Sequence, residues 1–226
     1  MWKDLWNILS QGETLLDEAR AESIEMLDHA RAMFETVLQA IVDEADAGLR
    51  KGMREQDKVL NAMQQGVRTK VFEHLAVSKG SGLLSGLILT SVVIDLERIG
   101  DYTKNVGEVV AWMPGALDFD EYKELFESIT ERTRKLFAKT RAAFVDHDQE
   151  AARDHVEFYQ GISHDSDGLL QQIMESGAPD DTIEKRILAL VMLLRYMKRV
   201  AAHLKNICTA VANPFPRIGF RPEGMK

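Results

Sequence analysis

The chain has 226 residues, 45% of them hydrophobic and 28% charged, with 36 Asp and Glu against 28 Lys and Arg. This length admits one domain or two small ones, and the apolar fraction supplies a packed core. With 5 prolines, 15 glycines, one cysteine (Cys208) and a net charge of −8, several classes are disfavoured. These are an all-β chain, a disulfide framework, a cysteine-based zinc site and a non-specific nucleic-acid binder.

Apolar residues recur at helical spacing throughout, and strand-like alternation persists nowhere. The opening MWKDLWNILS lacks the basic lead and long apolar run of a secretory signal. A short amphipathic piece is expected at 2–9, carrying Trp2 and Trp6 on one face. The first long helix is predicted over 13–45, with Leu15/Leu16, Ile24, Leu27, Ala30, Phe34, Leu38 and Ile41/Val42 along its apolar side. The second is predicted over 50–76 and the third over 81–112. Within the third lies the longest uncharged stretch, the 15 residues of 80–94. A membrane helix needs about 20 apolar residues, so this stretch reads as a buried helix and no direct membrane insertion is expected. Met113-Pro114-Gly115 breaks the pattern near mid-chain. Helices follow over 118–145, 149–176 and 180–211, the fifth ending near Gly177-Ala178-Pro179. The tail, 212–226, holds three of the prolines and is expected to be an extended segment on the surface.

The two halves repeat. VVIDLERIGDYTKNVGE at 92–108 aligns with LLRYMKRVAAHLKNICT at 193–209 at a constant offset of 101. Arg98, Lys104 and Asn105 meet Arg199, Lys205 and Asn206, and the apolar positions Leu96, Ile99 and Val106 meet Met197, Val200 and Ile207. The expected fold is all-α: two tandem three-helix bundles related by an internal repeat. The first domain spans 1–113 with its amphipathic extension, and the second spans 118–211.

The third helix carries Glu97, Asp101, Asn105 and Glu108 at spacings of 4, 4 and 3, which stacks them on one face. Like charges four apart repel, so such a stripe needs a counterweight. Arg98 and Lys104 can supply one, as salt bridges on a solvated face. A bound hard cation or iron is the other solution. Spacing alone leaves both open. Asn105 and Asn206 read as interhelical hydrogen-bonding residues, and His203 as a packing or hydrogen-bonding residue.

DLERIGDYTKNVGE resembles the signature of the PhoU family, and RYMKRVAAHLKNI resembles its second copy in degraded form. The resemblance implies two tandem three-helix bundles, in agreement with the repeat. It also implies that the E-x-x-x-D pair of a bundle can bind iron or zinc. That pair is Glu97 and Asp101 here, and their counterparts are Lys198 and Ala202, so any metal is expected in the first bundle only. Asp57 of the second helix, in the string Asp57-Lys58-Val59-Leu60-Asn61, and Glu108 complete the candidate ligand set. Near the corresponding place in the second half stand His164, Asp165 and Asp167, with no acids opposite them on the sixth helix.

No Glu-x-x-His pair, phosphate loop, nucleophile elbow or His-Glu-x-x-His motif occurs, so catalysis is not expected. The resemblance implies a cytoplasmic, non-catalytic regulator of phosphate uptake, held near the inner face of the membrane through its partners. Those partners would be the cytoplasmic component of a phosphate transporter and a sensor histidine kinase. Two alternatives stay open: an accessory subunit of a sodium-coupled or other phosphate permease, and a metal-binding helical scaffold unrelated to phosphate. A homodimer is compatible with the resemblance, although no pattern specifies its interface.

Overall fold

The 3.6-residue apolar period becomes six helices. The first trio is α1 (Trp2–Val42), α2 (Leu49–Val77) and α3 (Leu83–Ala111). The second is α4 (Lys123–Asp146), α5 (Gln149–Ser176) and α6 (Lys185–Ala212). This computed structural model describes residues 2–43, 48–113, 117, 119–176 and 185–225, with the side chains of 2–14 and 176 left aside. The predicted breaks at Pro114-Gly115 and 177–179 therefore lie outside the described residues, as do the Trp2 and Trp6 side chains. Among the described residues there is no strand, and no helix is long and apolar enough to cross a membrane.

Within each trio every helix packs on the other two. The trios also meet, through α3 on α6 and α1 on α4, and the α3–α6 contact is as extensive as those inside a trio. One continuous core results, running from Phe34, Leu60 and Ile99 to Phe137, Ile162 and Leu193. Phe34 of α1 and Phe137 of α4 mark the crossing between halves, their ring centroids 5.1 Å apart. Around them, Arg141 grips Asp28 with two hydrogen bonds of 2.6 and 2.9 Å, and Arg20 donates to the Val145 carbonyl at 2.6 Å.

Four expectations are corrected. The piece at 2–9 is not separate, because α1 runs unbroken from Trp2. The uncharged stretch 80–94 is only half buried: Gly86, Leu89, Val92 and Val93 face the core, whereas Leu83, Leu84, Leu87 and Ile94 are exposed. Absence of charge marked that stretch as apolar without saying how many neighbours its helix has. The tail is not extended. It makes a 3-10 turn at Phe215–Arg217 and folds back over α6. There the Gly219 amide donates to Thr209 Oγ1 at 2.7 Å, and Lys205 Nζ donates to the Gly219 carbonyl at 2.8 Å. The fourth helix also begins later than predicted, at Lys123, after a 3-10 turn at Asp120–Tyr122.

The junctions follow local chemistry. The α2–α3 turn places Gly80 and Gly82 at φ of 93° and 70°, a region that side chains resist. A Cβ on Gly82 would also lie 2.6 Å from His74 Nε2 and 2.9 Å from Leu16 Cδ2. At the α4–α5 corner, His147 takes the left-handed conformation (φ 53°) that ends α4. Asp148 Oδ1 then accepts the Ala151 amide at 3.0 Å, capping the start of α5.

Close approach of α3 to α2 rests on glycine. A Cβ on Gly100 would strike Leu60 Cδ1, and one on Gly107 would lie 2.8 Å from Met53 Cγ. Leu60 is fully buried, so Leu60→Ala should lose about 2–5 kcal/mol of stability. Adding Gly100→Ala to that variant should recover part of the loss, since the new methyl enters the vacated space. Urea unfolding of the two variants measures this, and a further loss in the double variant would contradict the assigned contact.

His155 of α5 is buried, and its Nδ1 has no hydrogen-bond partner among the described residues. Burial, then the nearby Lys139 charge, pushes its pKa below the ordinary histidine value. The neutral ring therefore contributes stability above the unfolded-state pKa of about 6.5, and this is lost as pH falls through the lower folded value. His155→Leu should flatten the decline of unfolding free energy between about pH 7 and pH 5, measured by urea titrations across that range.

Candidate functional site

The acidic stripe of α3 faces α2. Glu97, Asp101 and Lys104 stand at i, i+4 and i+7, so one face of α3 carries all three, and Asp57 meets them from α2. Lys104 Nζ donates to Asp57 Oδ2 at 2.9 Å and to Asp101 Oδ1 at 2.8 Å. Arg98 Nη1 donates to the other oxygen of Asp101 at 3.1 Å, and Arg98 Nε lies 3.5 Å from Glu97. The groove is largely shielded, with side-chain exposures of 14% for Asp57, 17% for Glu97 and 20% for Lys104.

The electrostatics follow from that shielding. Burial, then the adjacent Asp101 charge, pushes the Glu97 carboxyl above its usual range. Burial alone would push the Lys104 ammonium down, but its hydrogen bonds and ion pairs with Asp101 and Asp57 outweigh it and hold the pKa above the ordinary lysine value.

Of the four predicted ligand residues, the structure brings Asp57, Glu97 and Asp101 together and sets Glu108 apart. Glu108 pairs instead with α2 arginines, 3.1 Å from Arg54 Nη2 and 3.7 Å from Arg50 Nε. The bond between Lys104 and Asp57 was not read from the sequence. The available signal was that Lys104 stands on the same helical face as Asp101, with Asp57 on the neighbouring helix.

Iron or zinc at this position would need the carboxylate oxygens to converge on the ion with lone pairs free. Here the two aspartates converge on an ammonium group. Among the described residues, no group of three or more His, Cys, Asp or Glu side chains could hold a metal ion. As placed, these residues do not fit the metal that the resemblance implies.

In the second trio, Asp165 of α5 is paired with Arg132 of α4. Asp167 of α5 receives Lys198 Nζ on both oxygens, each at 2.5 Å. His164 is exposed.

A third polar cluster joins the trios. Asp95 Oδ1 of α3 lies 2.7 Å from His203 Nδ1 and accepts Asn206 Nδ2 at 2.8 Å, both from α6. The His203 ring stacks on Tyr102 at 5.6 Å, and Tyr102 meets Tyr196 at 6.1 Å. His203 thus hydrogen-bonds and packs, and Asn206 bonds between helices, as the sequence suggested. Asn105 makes no such bond among the described residues. Asp95 is the residue that sequence reasoning missed. It lies off the acidic stripe, and only the α3–α6 pairing gives it a role.

The family model for the PhoU domain matches this chain twice, over residues 24–110 and 126–211. The chain belongs to the PhoU domain family. It is similar to the phosphate-specific transport system accessory protein PhoU homolog of Pseudomonas putida, at 25% identity over 223 residues, 97% of this chain and 86% of that protein. The Pseudomonas aeruginosa homolog of the same name is 23% identical over 207 residues, 91% of this chain and 85% of that protein. The crystal structure of PhoU from Pseudomonas aeruginosa aligns with a TM-score of 0.77 at 23% identity, covering 88% of this chain and 96% of that one. That of the phosphate transport system regulatory protein PhoU from Streptococcus pneumoniae gives 0.76 at 18%, covering 88% and 94%. At these identities the solved structures show the fold: two PhoU repeats, one per trio.

The Asp95 cluster is where the repeats lock together. Its carboxylate is mostly buried, and both partners lose their acceptor if it is removed. Asp95→Ala should cost about 2–4 kcal/mol, and His203→Ala less. Thermal unfolding of the two variants, with the double variant as a coupling test, measures this.

Proposed function

We propose that this chain is a regulator of phosphate uptake, working as a non-catalytic adaptor at the cytoplasmic face of the membrane. One observation carries the reading: the PhoU domain occurs twice and spans both trios, in a chain similar over nearly its whole length to accessory proteins of phosphate-specific transport. The partners we assign are the cytoplasmic component of a phosphate transporter and the sensor histidine kinase of the phosphate-starvation response.

The architecture supports an adaptor. The two trios share one core, so a partner bound to either meets a body already oriented with respect to the other. Exposed Leu84, Leu87 and Ile94 on α3, with Leu188 on α6, give apolar side chains to which partner helices can dock. Such docking changes a partner's behaviour by favouring one of its conformations, with no chemical step.

Deletion of the gene in its own host, followed by a phosphate-starvation reporter at high and low phosphate, tests the reading. We expect the reporter to be active at high phosphate in the deletion strain. Cross-linking with a tagged chain should recover both partner types at high phosphate. Normal repression without the gene would overturn the regulatory role. Recovery of a sodium-coupled permease in place of both partners would replace the adaptor with a permease accessory.

A further inference from the structure

The fold and the first-bundle acids are those of a family resemblance that implies a metal, yet the geometry supplies a cation of its own. We propose that Lys104 is the permanent cation of the α2–α3 groove and closes it to metal ions. We propose further that Lys198 and Arg132 do the same on α5 in the second bundle.

The Lys104 ammonium bridges two helices, 2.9 Å from Asp57 Oδ2 on α2 and 2.8 Å from Asp101 Oδ1 on its own helix. An ion bridging those aspartates would have to displace the ammonium from both. Lys104 is tethered one turn from Asp101 and need not be captured from solution. A divalent ion arriving with Lys104 in place would meet a positive charge in a shielded groove, where repulsion is strong. Arg98 adds a second cation on the remaining Asp101 oxygen, at 3.1 Å.

The repeat gives an independent second instance. Position 198 is the counterpart of Glu97 and holds a lysine. Its Nζ contacts both oxygens of Asp167, and Arg132 covers Asp165. In each trio an acid of the middle helix is neutralised by a basic side chain from another helix of the same trio. The residues doing so differ between the halves, whereas the outcome is the same.

Manganese(II) alone, a hard cation suited to carboxylates, is the probe, read by calorimetry, electron paramagnetic resonance and thermal melts on the full chain. Wild-type protein is expected to show no Mn(II) site in the groove and no change in Tm with chelator or added ion. Lys104→Met should melt lower in chelator and regain Tm with Mn(II), binding it at least on the order of tenfold tighter than any background binding by wild type. That gain should vanish in Lys104→Met combined with Glu97→Gln and Asp101→Asn. Lys104→Arg retains the charge and should show no gain. Lys104→Gln serves as the second neutral variant if Lys104→Met does not fold.

Stoichiometric Mn(II) binding by wild type that is lost in Glu97→Gln with Asp101→Asn would overturn the proposal. So would a folded neutral variant that gains no affinity. Neither result bears on the regulatory role, which the reporter assay tests separately.

Discussion

The pairing of α3 with α6 is the constraint to which the rest of the molecule conforms. α3 packs against α1, α2 and α6 at once, and each neighbour dictates one of its faces. Toward α2 it needs glycine: Gly100 lets Leu60 in and Gly107 does the same for Met53. Toward α6 it presents Asp95 and Tyr102, which meet His203 and Asn206. Tyr102 and His203 are repeat counterparts, and they touch each other. Equivalent residues can meet in this way only where the two repeats face each other about a local pseudo-two-fold axis. The duplication and the interface are therefore one feature.

This arrangement explains how charge is distributed. From 95 to 111 only Arg98 of α3 is exposed, so Glu97 and Asp101 border a shielded groove. A shielded carboxylate without a counter-ion is costly. The chain answers with basic side chains at helical spacing: Lys104 and Arg98 along α3, and Arg54 and Arg50 from α2 for Glu108. Exposed pairs of this kind add little stability. The value of the Lys104 bridge lies in covering Asp57 and Asp101, because an uncompensated charge there would destabilise the α2–α3 contact.

The all-α class and the helical trios were legible because the apolar period is regular and the 101-residue offset aligns charged and apolar positions alike. Glu97, Asp101 and Asp57 were legible as a group through the resemblance, since spacing on one helix cannot bring in a residue from another. What escaped the sequence depends on neighbours. Leu84 and Leu87 look like core residues until the packing shows which side of α3 lacks a partner. Asp95 looks like one more surface acid until α6 is placed against it. Glu108 continues the stripe in projection, but α2 supplies arginines at that level and lysine is kept for the level below. The folded-back tail was hidden because prolines indicate only that a helix ends. Its path is set by Thr209 and Lys205, which bind Gly219.

The repeat counterparts differ more in the grooves than elsewhere on α3 and α6. Most α3 and α6 counterparts outside the grooves remain compatible in size and chemistry: Leu96 with Met197, Ile99 with Val200, Asn105 with Asn206; Asp95 with Tyr196 is the exception, although both stand at the α3–α6 contact. In the grooves they do not, since Glu97 answers to Lys198 and Asp101 to Ala202. An interface between repeats punishes change on either side, because each residue packs against the other copy. A groove within a repeat requires only that its charges balance, and that can be met with acids and a lysine or with lysine and arginine against two aspartates. The mated face is thus the part of this molecule that must keep its shape, and the grooves are the part that can be rewired without disturbing the distance between the two trios.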